Sequence, residues 1–160
     1  MNQVVRNDPE LEVLWQKIDA AGVRNVALVA SRLGEGTTSI AIALARRAAT
    51  AGRSVLLVDL NRGSPGVAAA LGLTVPPDAI VSLPGQHLSV LAELSPDKAA
   101  AWREPAQLTA QAERWRDDWD LVVFDAAPVL ARDPGLISGS AVAMAAEATV
   151  LVALAGRTPA

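Results

Sequence analysis

Val26-Ala-Leu-Val-Ala-Ser-Arg-Leu-Gly-Glu-Gly-Thr-Thr-Ser-Ile-Ala41 decides the reading of this chain. An apolar run, 26–30, enters a turn holding Gly34 and Gly36, and an Ala-rich helical stretch begins at Thr37. Strand, glycine turn and helix in that order aim backbone N–H groups and a helix N-terminus at one point, which suits an anion. The phosphate-binding loop pattern G-x-x-x-x-G-K-[ST] fits this frame with its hydroxyl at Thr38, but its Lys position holds Thr37. The loop keeps the backbone part of a phosphate site and lacks its cation.

Working outward, strands and helices alternate. Asp8-Pro9-Glu10 predicts a helix to about Ala20, with Asp8 as N-cap, Pro9 in the first turn and Leu11, Leu14, Trp15 and Ile18 as its apolar stripe. Further strands are expected at 54–58, 121–124 and 149–154, with another possible at 88–91. Helices are expected at 37–51, 67–71, 105–117 and, more weakly, 140–146. The Pro-punctuated middle, with Pro76-Pro77, Pro84-Gly85 and Pro96, reads as irregular. This alternation predicts an α/β fold, a mostly parallel central sheet with helices on both faces.

Composition agrees and excludes much else. The 160 residues suit a single domain spanning 1–160, and the 51% hydrophobic content is mostly Ala, Val and Leu, as buried parallel strands under Ala-rich helices require. A net charge of −3 gives no nucleic-acid footprint. The absence of Cys excludes thiolate chemistry, and one His (His87) excludes a multi-histidine metal site. No membrane span or signal-peptide pattern is visible, so a cytoplasmic chain without direct membrane insertion is expected.

Two carboxylates, Asp59 and Asp125, stand at predicted strand ends. Ligands of open α/β sheets bind at the carboxyl ends of the strands, so neighbouring strands would turn both toward the glycine loop. With the Thr38 hydroxyl they form an oxygen donor set suited to magnesium. The plainer role for either Asp is a turn or helix cap. The same first strand and loop also allow a dinucleotide-binding unit with Asp59 on a ribose, but the complete G-x-G-x-x-G is broken at Ser39.

Ser31-Arg-Leu-Gly-Glu-Gly-Thr-Thr-Ser39 resembles the loop S-x-x-x-G-E-G-K-[ST] of the bacterial tyrosine kinases of capsular and exopolysaccharide synthesis. Val55-Leu-Leu-Val-Asp-Leu-Asn-Arg-Gly-Ser-Pro65 is similar to their strand plus D-x-D-x-R-x-P, and Leu121-Val-Val-Phe-Asp-Ala-Ala-Pro-Val-Leu130 to their strand plus D-x-P-P-V. Thr149-Val-Leu-Val-Ala-Leu-Ala-Gly-Arg-Thr158 looks like the strand that follows. The resemblance implies a P-loop NTPase-like three-layer fold binding ATP or ADP with Mg2+. It implies that Ser31, Arg32, Gly34, Glu35, Gly36, Thr37, Thr38 and Ser39 wrap the phosphates, that Thr38, Asp59 and Asp125 hold the metal, and that Asp59 and Asp125 serve phosphoryl transfer. It also implies a membrane-bound polysaccharide chain-length regulator as partner, and a homo-oligomer as a possibility. Recruitment to the inner membrane would then run through that partner, with the helix carrying Trp15 and the segment around Trp102 as candidate contact surfaces. Packing is the plainer role for both Trp residues.

The departures bear on activity. Thr37 replaces the loop Lys, Asn61 and Gly63 replace the second Asp and the Arg of the second motif, and Ala127 replaces the first Pro of the third. The E-x-x-R-x-x-R oligomer signature is missing, the sequence stops before the family's last helix and strand, and it contains no Tyr. Weak nucleotide binding and little or no kinase activity are therefore expected. Two alternatives stay open: an ATPase of the septum-site or partition type, in which Arg32 takes the place of a signature loop Lys, and a catalytically dead scaffold for a polysaccharide-assembly partner.

Overall fold

The computed structural model of the protein describes residues 8–62 and 66–154. In chain order the elements are α1 (Pro9–Ala20), β1 (Asn25–Ala30), α2 (Thr37–Thr50), β2 (Val55–Asp59), α3 (Val67–Leu71), β3 (Val81–Ser82), β4 (Leu88–Leu91), α4 (Pro96–Ala101), α5 (Pro105–Asp118), β5 (Leu121–Asp125), α6 (Gly139–Ala145) and β6 (Ala148–Val152). The six strands form one sheet in the order β3-β4-β2-β5-β1-β6, parallel throughout except for the antiparallel β3–β4 pair.

Every residue of β1, β2, β4 and β5 is buried. That is why 26–30, 55–58 and 121–124 read as unbroken apolar runs: helices cover both faces, so neither face needs polar side chains. Alternate residues divide between two cores. Val26, Leu28, Val55, Leu57, Leu121 and Val123 pack under α1, α2 and α3. Val29, Leu56, Val58, Val122 and Phe124 pack under α4, α5 and α6, with Trp102, Leu108 and Trp115.

Three helix starts follow capping chemistry. Asp8 accepts from the Glu10 N–H at 2.9 Å, and Leu11, Trp15 and Ile18 turn α1 inward. Ser95 does the same for α4, accepting from Lys98 N–H at 3.3 Å, and Ser138 for α6, accepting from Ala141 N–H at 3.0 Å. The sequence reading missed α4 because Pro96 looked like loop punctuation, whereas Ser-Pro is a cap followed by a first-turn proline. It also missed β3, whose two residues carry no periodicity. The last strand, expected at 149–154, ends at Val152.

Both tryptophans named as candidate contacts take the plainer packing role. Trp15 and Trp102 are both about 5% exposed. Trp15 belongs to the α1 face core, and Trp102 meets Trp115 edge-on at 5.4 Å between ring centroids, so neither side chain is available to a partner. Glu147 is exposed and ties elements together: it accepts the Arg24 N–H at 2.7 Å and pairs with Arg116 at 2.8 Å.

Candidate phosphate and metal site

The site is built where three strand ends meet the loop. Strand β5 lies between β1 and β2, so the connection from β1 through α2 to β2 crosses over it. Asp59 and Asp125 are register partners at the ends of β2 and β5, so the neighbouring placement on which the sequence argument depended is present. The backbone holds this corner: Leu60 N–H donates to the Asp125 carbonyl at 2.8 Å, and Val129 N–H to the Ala30 carbonyl at 2.9 Å.

Residues 31–36 form the loop between β1 and α2. Gly36, at the N-cap of α2, sits at φ 90°, and Gly34 at φ 81°, a region L side chains avoid. No side chain caps α2, and no acceptor among the described residues takes the N–H of Gly36, Thr37, Thr38 or Ser39. These donors, at the positive end of a fourteen-residue helix, supply what an anion needs. Thr37 is buried, with 6% exposure, so the position that would carry the Lys is filled by a compact hydroxyl side chain.

Glu35 has a role that the sequence reading did not see. Its backbone was expected to wrap phosphate, but its buried side chain folds back onto the loop. Glu35 Oε2 accepts the N–H groups of Ser31 at 2.9 Å and Arg32 at 3.0 Å, and the Ser31 hydroxyl lies 3.2 Å from Oε1. The carboxylate closes the first half of the loop and leaves the α2 amides open. The sequence signal was the i, i+4 spacing of Ser31 and Glu35 within a glycine turn. The Arg32 side chain is exposed on the loop.

Thr38 and Asp125 meet directly, the hydroxyl donating to Oδ2 at 2.6 Å. The other oxygen of Asp125, Oδ1, is buried with no hydrogen-bond partner among the described residues, while the nearby Asn61 side chain favours the charged carboxylate. Burial pushes the Asp125 carboxyl up to about 7, against the Thr38 hydrogen bond and assisted by the Asp59 charge. Asp59 is pushed up to about 6, again by burial, against the N–H bonds it accepts from Val67 at 2.8 Å and Asn61 at 3.0 Å. The plainer capping role is thus real for Asp59, which accepts from Asn61 just after β2 and from Val67 at the start of α3. Each of its oxygens retains a further lone pair.

Among the described residues no three His, Cys, Asp or Glu side chains gather, so the donor set is two carboxylates and one hydroxyl. Hard oxygen donors and an orphaned buried carboxylate oxygen fit a magnesium ion that keeps several waters. Beside Asp59 lies a recess of about 200 Å3 lined by Arg62, Ala92, Glu93 and Leu94. Residues 63–65, which include the departure at Gly63, and 155–158, the end of the fourth motif, lie outside the described residues.

The three-layer arrangement is shared with solved structures. The VpsO kinase domain superimposes with a TM-score of 0.72 at 19% identity, covering 94% of this chain and 83% of that one. The kinase domain of the Escherichia coli tyrosine kinase ETK gives 0.70 at 18% identity over 93% of this chain and 64% of that one. The septum site-determining protein MinD from Pyrococcus horikoshii, complexed with Mg-ADP, gives 0.65 at 19% identity over 81% and 57%. The fold is therefore that of bacterial tyrosine kinase domains and MinD-type ATPases. No family model and no curated protein sequence matches the chain.

Among the described residues no helix is long and apolar enough to cross a membrane.

Proposed function

We propose that this chain is a magnesium-dependent ATP- or ADP-binding protein, organised as one domain over residues 1–160 and acting in exopolysaccharide or capsule biosynthesis. The orphaned Asp125 Oδ1, buried beside the Thr38 hydroxyl and the open amides of α2, carries this reading. In it, the N–H groups of residues 36–39 hold the phosphates, and Thr38, Asp125 and Asp59 hold the metal directly or through its waters. The ion would draw charge from the phosphate oxygens. Glu35 and the Asp59-capped turn keep the surrounding backbone in place.

Phosphoryl transfer depends on positioning and charge stabilisation. With Thr37 in place of Lys, charge stabilisation is reduced, so turnover is slow or absent. Tyrosine autophosphorylation within these 160 residues is chemically impossible, since they contain no Tyr. A membrane-bound chain-length regulator is the proposed partner, and peripheral placement at the inner membrane would come through it. The resemblance of the three motifs supports that part.

Calorimetric titration with Mg-ATP, followed by phosphate-release kinetics, tests the reading. Saturable binding with very slow release is expected; no binding of either nucleotide would leave a scaffold. The septum-site ATPase reading is supported by the likeness to MinD and by Arg32 in the loop, and it requires vigorous turnover that Arg32→Ala abolishes.

A further inference from the structure

The site as described is short of positive charge. Asp59 and Asp125 face a phosphate position whose loop lacks Lys, and Glu93 lines the adjoining recess. Arg62 lines the same recess together with Asp59. Among the described residues Arg62 forms no ion pair, although Glu93 lines the same recess. A guanidinium is thus held beside the acidic strand ends without a partner.

The strand order gives this placement a direction. The loop follows β1, Thr38 reaches Asp125 at the end of β5, Asp59 ends β2, and the recess lies between the ends of β2 and β4. Neighbouring strands are about 4.8 Å apart, so the β2 end stands roughly 10 Å from the loop's own strand. A phosphate chain anchored on the α2 amides, with Thr38, Asp125 and Asp59 holding its metal, would have its free end on the β2 side of the loop.

We propose that Arg62 binds the terminal phosphoryl group of a nucleoside triphosphate, making the recess between β2 and β4 the part of the site that distinguishes triphosphate from diphosphate. The proposal rests on the nucleotide-binding reading above. Arg suits the task because its planar fork makes two parallel contacts to phosphate oxygens, and it stays charged when buried. The sequence reading had weighed only Arg32 as a substitute for the missing Lys; Arg62 escaped notice because the recess is formed by β4, far away in sequence.

The test is calorimetric titration of the full chain with Mg-ADP and with the magnesium complex of a non-hydrolysable ATP analogue, for the parent and Arg62→Ala. Arg62 is exposed and interior packing does not depend on it, and unchanged thermal melting of the variant confirms that. The expected result is loss of about tenfold or more in triphosphate affinity with diphosphate affinity kept within about twofold. Equal loss for both nucleotides, or no loss, overturns the role of Arg62 while leaving nucleotide binding intact. The same selective loss produced by Arg32→Ala in place of Arg62→Ala would also overturn it. A parent chain that binds neither nucleotide overturns the reading on which the proposal stands.

Discussion

Asp125→Asn separates what the site does for binding from what it costs the fold. The change is nearly isosteric, and the Asn oxygen can still accept from the Thr38 hydroxyl, now 2.6 Å from Asp125 Oδ2. What disappears is a buried negative charge. In the folded protein the Asp125 carboxyl is raised from 3.8 to about 7, and Asp59 from 3.8 to about 6. Both groups therefore bind a proton more tightly folded than unfolded. Their contribution to stability is fully present below about pH 4 and is lost as pH rises through 6 and 7. At about 1.4 kcal/mol per pH unit, the Asp125 share of this loss is on the order of a few kcal/mol, a large fraction of a typical domain's stability. Chemical denaturation from pH 5 to 8 without metal reads it out. The parent should lose stability steeply with rising pH and regain it on addition of Mg2+ at pH 8. Asp125→Asn should show a much flatter profile, be more stable than the parent at pH 8, and gain little from Mg2+. An unchanged pH slope in the variant, or equal stabilisation of both proteins by Mg2+, would refute the electrostatic account of this carboxylate.

Three further changes probe the supports. A Cβ at Gly139 would fall 2.0 Å from the Ala127 carbonyl oxygen, so Gly139→Ala forces the turn after Asp125 to move by roughly 1 Å; a cost of about 1–3 kcal/mol in thermal or urea unfolding is expected, with weakened Mg-nucleotide binding. Glu35→Ala leaves the Ser31 and Arg32 amides without their acceptor, and should speed their hydrogen exchange and lower nucleotide affinity about tenfold. Thr37→Lys returns a cation to the open amides and should tighten ATP binding about tenfold in calorimetry, provided melting shows that the buried position accommodates the longer stem.

Much of this architecture is written locally. Strands β1, β2 and β5 are legible because burial on both faces makes them continuous apolar runs, and the two Asp residues are legible because each terminates such a run. That both lie at the same end of the sheet follows from the rule for parallel strands, but that β2 and β5 are neighbours is set by the strand order, which no local pattern encodes. What escaped the sequence depends on contacts between distant segments. Packing is the plainer reading of Trp102, but its partner is not legible locally: α4 and α5 bring it against Trp115. The recess beside Asp59 is made by 92–94, and Gly139 is required by the carbonyl of Ala127, twelve residues earlier in the chain. The Glu35 latch lies within reach of sequence reasoning, but the loop pattern draws attention to backbone donors, and the side chain that organises them was overlooked.

The central claim, a magnesium–nucleotide site built without a loop Lys, is tested most directly by calorimetric titration of Mg-ATP into the parent chain and into Asp125→Asn, each with and without a metal chelator. The account predicts saturable one-to-one binding to the parent that is lost on chelation and lost in the variant. No binding to the parent, or binding indifferent to both the metal and Asp125, would contradict it.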